Sequence, residues 1–286
     1  MTPRPPFPVI VGVPRSGTTL LRLMLDAHTN LAIPPETGFL MSASMASAER
    51  SSVQIARELI AFPEQAPAWA DFGLDPAEFM KYIGSLPKDA GPSGVLRAFY
   101  DLYSKRFGKQ RGGDKTPLYL LHMLRLASVL PEAHFIHLIR DGRDVALSWR
   151  QTWFAPSKDI PTLVRHWAEM IQSAREHSRG LHYLEIRYED LIRFPAETLG
   201  KICRFIELDY QPAMLQYYQS APHRLQEHLA RYATDGTLLV SQETRLQQQR
   251  KTREPPDPGR IGAWQGQLSQ EEMASCEWLV RLGLNG

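Results

Sequence analysis

Pro8-Val9-Ile10-Val11-Gly12-Val13-Pro14-Arg15-Ser16-Gly17-Thr18-Thr19-Leu20-Leu21 is the stretch that decides the fold. A short apolar run ends in a turn rich in Gly, Pro and Ser, which opens into a helical pattern of Leu20, Leu21, Leu23, Met24 and Leu25. The pattern predicts a strand, a loop and the start of a helix. Backbone N–H groups of such a loop and of the first helical turn converge on one spot, and the helix dipole draws an anion there. Gly12 and Gly17 allow the backbone to approach a phosphate closely. Thr18 and Thr19 add hydroxyl donors, and Arg15 adds a permanent charge. The competing reading is a plain strand-to-helix turn with glycines.

Details of the loop narrow the ligand. Gly12 and Gly17 have the spacing of a nucleoside-triphosphate loop, but Thr18 stands where that loop places its Lys. The missing Lys would reach the β- and γ-phosphates, so an ordinary ATPase or kinase is disfavoured. The cation sits inside the loop instead, at Arg15. The run P-R-S-G-T-T-L-L resembles the 5′-phosphosulfate loop of sulfotransferases that use 3′-phosphoadenosine 5′-phosphosulfate (PAPS). That resemblance implies that Pro14, Arg15, Ser16, Gly17, Thr18, Thr19 and Leu20 bind the cosubstrate.

A second motif of the same family follows at Ala133 to Trp149, where an alternating strand pattern runs into the polar turn Arg140-Asp141-Gly142-Arg143-Asp144 and then a helix. Arg140 falls at the carboxyl end of the strand, where open α/β sheets bind ligands, and Ser148 follows two helical turns later. The resemblance implies that Arg140 and Ser148 hold the 3′-phosphate. Arg143 and Asp144 read as local salt bridges or caps, and His134 and His137 as packed strand residues. Tyr188-Glu189-Asp190-Leu191 is similar to the family's Y-E-D-L segment, with Tyr188 a candidate for contact with the adenine. Lys251 and Arg253 lie upstream of Gly262-Ala263-Trp264, where related enzymes place a basic loop over the 3′-phosphate; the alternative is a solvated charge run.

Two further residues point to chemistry. Glu36 lies in the extended segment Pro34-Pro35-Glu36-Thr37-Gly38, 21 residues beyond Arg15. In tyrosylprotein sulfotransferases, whose P-R-S-G-T-T-L and L-D-A-H patterns recur here from Pro14 to His28, a Glu at the matching place is the proposed general base. That family continues Glu-Thr-Arg, where this chain has Gly38. The other reading of Glu36 is a helix cap or a solvated side chain, with His122 or His137 as the base. Lys115 stands in Gly113-Asp114-Lys115-Thr116-Pro117, just before an apolar helix expected from Leu118 to Leu130 with Pro117 at its first position. A helix N-terminus disfavours a cation, which suggests an anionic ligand. The segment also resembles the one carrying an active-site lysine in many sulfotransferases; the alternative is a lysine in an exposed loop.

Composition sets the outer limits. The 286 residues suffice for a single domain, with a helical insertion from about residue 42 to 109 in which Pro63, Pro67 and Pro87 separate helical patterns. A formal charge of +2 gives no bulk electrostatic reason to bind nucleic acid. Cys203 and Cys276 read as buried free thiols, and no metal-ligand spacing occurs. No signal-type apolar segment precedes the first strand, and no run approaches membrane-spanning length, so a cytoplasmic protein without a membrane anchor is expected. Towards the end, residues 251–258 read as an exposed, extended loop, and Ser269 to Glu272 as a capping box before the final helix.

These readings converge on an α/β fold of the P-loop type, a three-layer arrangement of a parallel sheet flanked by helices. The family resemblance implies transfer of a sulfuryl group from PAPS to a hydroxyl of a small-molecule, carbohydrate or tyrosine-like acceptor. Glu36 would act as base, with Arg15 and Lys115 stabilising charge and no metal taking part. Adenosine 3′,5′-bisphosphate would be the product nucleotide. Rival readings are an ATP- and Mg²⁺-dependent P-loop phosphotransferase and a non-catalytic nucleotide-binding module. The acceptor and the oligomeric state, a homodimer among the options, stay open.

Overall fold

The apolar run at the start of the chain forms strand β1 (Phe7–Val11), and the helical pattern after the loop forms α1 (Thr18–Asp26). The computed structural model describes residues 4–42, 50–152 and 154–285. A two-residue strand β2 (Leu31–Ala32) precedes the helical insertion, which contains α2 (Ser52–Ala61), α3 (Pro76–Gly84) and α4 (Gly91–Arg106). Residues 43–49, where the insertion was expected to begin, lie outside the described residues. The chain returns through β3 (Arg111–Gly112) and β4 (Asp114–Lys115) to α5 (Met123–Val129) and β5 (Ala133–Ile139). Then follow α6 (Gly142–Arg150), α7 (Ile160–His177), β6 (His182–Arg187), α8 (Tyr188–Arg193) and α9 (Pro195–Phe205). The last part holds α10 (Ala221–Leu225), an antiparallel hairpin of β7 (Arg231–Tyr232) and β8 (Leu238–Val240), α11 (Gln242–Gln248) and α12 (Gln270–Asn285).

The main sheet has four strands in the order β4-β1-β5-β6, all parallel. Alternate residues of its central strands enter two separate cores. Val9, Val11, Phe135 and Ile139 pack with residues of α4, α5, α6, α7 and α12. Ile10, Ile136 and Leu138 pack with Leu21 and Met24 of α1, Leu191 of α8 and Ile202 of α9. The result is the three-layer α/β architecture expected, with helices covering both faces of a parallel sheet. Each strand hands the chain to its next element at the same edge of the sheet.

Several local expectations change. The helix expected from Leu118 to Leu130 is broken: a tight 3₁₀ turn spans Pro117–Leu121, and α5 begins only at Met123, after His122 at φ −129°. Pro117 opens that 3₁₀ turn, where its missing N–H costs no hydrogen bond. Lys115 is not in an exposed loop. It ends β4, pairs in register with Ile10 and is 1% exposed. The stretch around residues 251–258 is not extended, because 3₁₀ turns form at Arg250–Arg253 and Pro258–Arg260. The β7–β8 hairpin was not anticipated, since its strands are only two and three residues long. Both cysteines are free and buried. The capping box holds, with the Ser269 amide donating to Glu272 and the Glu272 amide to Ser269.

His137 is wholly buried on β5, with its Nδ1 2.5 Å from the Tyr183 hydroxyl, which donates to Glu185. Burial pushes this imidazole down to about 3. The unfolded chain would protonate it near pH 6.5, so as pH falls below about 6.5 the unfolded state takes up a proton that the folded state refuses. Stability is therefore lost on acidification from about pH 6.5 down to about pH 3. Replacing His137 by Gln should flatten the urea-unfolding free energy against pH in that window by about 1.4 kcal/mol per pH unit relative to the unmutated chain. Parallel curves for the two proteins would show that His137 carries no such linkage.

Candidate active site

All four strands of the main sheet deliver a singled-out residue or loop at their carboxyl ends. β4 ends in Lys115, β1 leads into Gly12 to Gly17, β5 is followed by Arg140, and β6 is followed by Tyr188. A parallel sheet puts these ends along one edge, so residues distant in sequence meet there. The loop after β1 is held in an unusual path. Arg15 has φ 74° and Gly17 φ 99°, both in the left-handed region. A Cβ on Gly17 would also stand 2.7 Å from the Tyr188 ring, so a larger residue is excluded twice over. Gly17 supplies no side chain to cap α1, which leaves the first N–H groups of the helix open to a ligand. Ser16 is wholly buried, and its Oγ has no partner among the described residues.

The two motifs singled out in the sequence touch directly. Arg15 Nε donates to Ser148 Oγ at 3.1 Å, bridging 133 positions of sequence. Burial, then the neighbouring Arg260 and Arg140 charges, lower the pKa of Arg15, while Glu36 acts against them. Arg140 is 4% exposed and lies 4.5 Å above the centre of the Tyr188 ring. Its Nη2 donates to the Arg260 carbonyl at 2.8 Å, and its Nε is buried without a partner among the described residues. Lys251 is exposed, yet partial burial and the charges of Arg260, Arg250 and Arg140 lower its pKa against the opposing pull of Asp257. Arg15, Arg140, Arg260 and Lys251 thus form one electropositive cluster. Arg253 shares a 3₁₀ turn with Lys251, and its Nε is buried and unpartnered among the described residues.

Arg260 was missed in the sequence, although it stands two positions before the Gly262-Ala263-Trp264 landmark. Asp144 holds that landmark in place. Its carboxylate accepts from the amides of Gly262 and Trp264, both at 3.0 Å, and pairs with Arg140 at 3.4 Å. The cap of α6 is Asp141, which accepts from the Arg143 amide and pairs with the Arg143 guanidinium at 2.6 Å. Arg143 therefore has the local role expected, and its guanidinium also stacks 3.8 Å from the Trp264 ring centre. Asp144 reaches much further than a cap. It fastens the carboxyl-terminal segment bearing Arg260 to the edge of the sheet.

On the other side of the loop, Lys115 Nζ donates to Glu36 Oε1 at 2.6 Å and lies 3.4 Å from Thr19 Oγ1. The two ends of this pair differ in wetness: the Lys115 side chain is 2% exposed and that of Glu36 54%. Burial lowers the Lys115 pKa, with Glu36 holding it up. Beneath Glu36 lies a buried polar knot. The Thr37 and Tyr100 hydroxyls both donate to Asp114 Oδ2 at 2.7 Å, the Thr37 amide donates to Thr116 Oγ1, and the Leu40 amide to the Tyr119 hydroxyl. Burial raises the pKa of Asp114 against these hydrogen bonds and raises that of Tyr100 well above its usual value. Asp114 and Thr37 were not singled out in the sequence, although each adjoins a residue that was. Their bond locks the Glu36 loop against the strand carrying Lys115.

Comparison with known proteins bears on the family and the fold. The model of the sulfotransferase family matches residues 6–212. The nodulation protein NoeE of Sinorhizobium fredii is 27% identical over 238 residues, covering 74% of this chain and 52% of that protein. The chain spans about half the length of the curated relatives it matches, protein-tyrosine sulfotransferases among them. Among solved structures, the sulfotransferase domain from the Synechococcus PCC 7002 olefin synthase superposes with a TM-score of 0.64 at 23% identity, over 98% of this chain and 96% of that one. Mouse sulfotransferase SULT7A1, complexed with PAP, gives 0.53 at 14% identity, over 99% and 85%. Both solved structures share the fold described above.

Asp144 is the residue whose loss should be felt most widely. Asp144→Ala leaves Arg140 buried without its carboxylate and strips two amides of their acceptor. Breaking one partner of a buried pair costs about 3–5 kcal/mol. Urea unfolding of the variant should show a loss of that order, and a loss below about 1 kcal/mol would rule out this anchoring role.

Proposed function

The chain belongs to the sulfotransferase family, and from that premise we propose that it moves a sulfuryl group from PAPS to a hydroxyl of an acceptor. The observation that carries the reading is the Arg15–Ser148 bond, which joins both nucleotide motifs inside a cluster of cations. Ser16 Oγ and Arg140 Nε, both buried and unpartnered among the described residues, are unused donors of the kind a phosphosulfate and a 3′-phosphate would take up. The PAP-bound fold neighbour supports the same donor. An ATP- and Mg²⁺-dependent phosphotransfer is disfavoured by Thr18 at the position of the triphosphate-loop lysine.

The roles follow from position. Loop amides from Gly17 to Thr19 and the open N-terminus of α1 would cradle the 5′-phosphosulfate, with Arg15 and Lys115 facing the charge that builds on the departing phosphate oxygen. Arg140, Ser148, Arg260 and Lys251 would take the 3′-phosphate. Glu36 then accepts the acceptor hydroxyl's proton while that oxygen forms its bond to sulfur. The sulfur–oxygen bond to the 5′-phosphate breaks, and adenosine 3′,5′-bisphosphate leaves with the electron pair. Lys115 keeps the Glu36 carboxylate aimed from its buried side, leaving the wet oxygen for the acceptor. Small-molecule, carbohydrate and tyrosine-like hydroxyls all remain acceptor candidates.

Two measurements test these roles. Calorimetry should find adenosine 3′,5′-bisphosphate bound far more tightly than AMP or ATP, a preference that Arg140→Ala should remove at a cost of about 1.5–3 kcal/mol. Equal affinity of the unmutated protein for the bisphosphate and AMP would end the PAPS assignment. Glu36→Gln keeps size and most hydrogen bonding but deletes basicity. It should lower kcat by roughly 10²–10⁴ with nucleotide affinity nearly unchanged, as detected by mass of the sulfated product. Near-normal turnover of a poorly acidic alcohol by this variant would move the base elsewhere.

A further inference from the structure

The loop that carries Glu36 is fastened to β4 by two neighbouring rungs. Successive residues of a strand point to opposite faces of the sheet. β4 therefore turns Lys115 towards α1, where Nζ lies 3.4 Å from Thr19 Oγ1, and Asp114 towards α4, where Oδ2 accepts from the Tyr100 hydroxyl at 2.7 Å. Glu36 and Thr37 meet them in turn. Glu36 pairs with Lys115 at 2.6 Å, and the Thr37 hydroxyl donates to Asp114 Oδ2 at 2.7 Å. The first rung is half wet at its Glu36 end. The second is dry throughout, since Tyr100, Asp114, Thr37 and Tyr119 are all buried.

The donors of the dry rung can be ordered. A carboxylate only accepts, so the single hydrogen of the Thr37 hydroxyl goes to Asp114. The Tyr119 hydroxyl, 3.1 Å from Thr37 Oγ1, then donates to it and accepts the Leu40 amide, also at 3.1 Å. The hydrogen bonds thus run in one direction, from the Leu40 amide through Tyr119 and Thr37 to Asp114. Tyr100 reaches the same carboxylate oxygen from α4. The Thr37 amide adds a bond to Thr116 Oγ1 at 3.2 Å. Hydrogen bonds in such a chain polarise one another in a dry interior, so the loss of one member is felt along the rest. Among these residues Tyr100 alone comes from the helical insertion; the others belong to the Glu36 loop or to residues 114–119.

We propose that Tyr100 is a positioning residue for sulfuryl transfer, its hydroxyl acting through Asp114 and Thr37 to hold Glu36 where it meets the acceptor's proton. The inference rests on the reading of Glu36 as the base. In this role Tyr100 touches no reacting group. Its bond fixes Asp114 Oδ2 as the acceptor for Thr37, and without it the Thr37 rung loses a fixed anchor. Lys115 would still attract Glu36, but one ion pair to a half-exposed carboxylate leaves that carboxylate free to turn about it. A general base must lie within hydrogen-bond reach of its proton, and a misplacement of about 1 Å costs roughly 10²-fold. The Tyr100 ring packs on Phe7 and Phe99, with centroids 4.7 and 5.1 Å away, so Phe in its place keeps the packing and removes the hydroxyl alone.

The test uses the full chain, saturated with adenosine 3′,5′-bisphosphate for hydrogen exchange and supplied with PAPS and phenol for turnover. In Tyr100→Phe the Thr37 and Leu40 amides should exchange about tenfold faster, while the amides of β1 and β5 keep their rates. Sulfation of phenol, followed by product mass, should lose about tenfold in kcat, with bisphosphate affinity changed less than about twofold. Thr37→Val should behave alike, and Thr37→Ser, which keeps the hydroxyl, should restore most of the rate. In the Glu36→Gln background Tyr100→Phe should cost almost nothing further, because the group it positions has gone. A merely structural tyrosine would lower the rate by the same factor in both backgrounds. That result, an unchanged kcat, or amide exchange that stays put or rises evenly across the sheet would overturn the proposal. The exchange arm needs no acceptor, so it reads the fastening of the loop whatever hydroxyl compound the enzyme prefers. Failure of the base assignment looks different: Glu36→Gln then turns phenol over at a near-normal rate, while Tyr100→Phe still frees the Thr37 and Leu40 amides.

Discussion

Crowding of like charge is the constraint on which the rest of the structure depends. Arg15, Arg140 and Arg260 stand close enough that the latter two lower the pKa of the first, beyond the effect of burial. Such a set flies apart unless rigid elements hold it. Arg15 is fixed by a strained loop between β1 and α1, and Arg140 by the end of β5 and the Tyr188 ring beneath it. Arg260 is fixed by the amides two and four positions later, which Asp144 binds. The parallel sheet is the frame that makes this possible, since it places the ends of all four strands along one edge.

Much of this arrangement was legible in the sequence because it depends on local pattern. The strand–loop–helix reading of residues 8–21, the strand ending before Arg140 and the three-layer α/β class all follow from periodicity and turn chemistry. What escaped was set by long-range packing. The apolar run from Leu118 reads as one helix, but the chain must turn at His122 to bring Tyr119 under the Glu36 loop. Lys115 reads as a residue at a helix N-terminus because β4 is only two residues long and owes its existence to pairing with β1. Arg260 was overlooked for a related reason. Its position is decided by Asp144, 116 residues earlier, and no local pattern records that bond.

The side of the loop that carries Glu36 obeys a different logic. Lys115 is dry and Glu36 half wet, so one end of their ion pair is stationary and the other meets solvent. A carboxylate free in water would be oriented only by chance, and one fully buried would be driven towards its neutral form. Pairing with a buried ammonium, on a loop locked by Thr37 and Asp114, holds Glu36 in one place while leaving about half of its side chain exposed. The knot of Asp114, Tyr100 and Thr37 therefore positions the loop that carries Glu36.

A second cluster of buried cations is settled differently. Arg22 and Arg224 lie behind the loop, and each has a carboxylate oxygen within 3.0 Å, from Glu227 or Asp26. Burial works against the Asp26 charge, but Arg224, Lys109 and Arg22 outweigh it and lower its pKa, while Asp26, Tyr103 and Glu227 raise that of Arg224. Those charges are settled internally, as buried ions must be. Arg15 has no carboxylate within ion-pair distance among the described residues, and the one nearest Arg140 is 3.4 Å away and shared with two amides. The same fold thus neutralises its buried guanidiniums in one place and leaves them short of counter-charge a few residues away. The shortage coincides with the open N-terminus of α1 and the unpartnered Ser16 hydroxyl. Cations left short of counter-charge beside an open helix N-terminus are the observation behind the proposal that a multiply charged anion binds there.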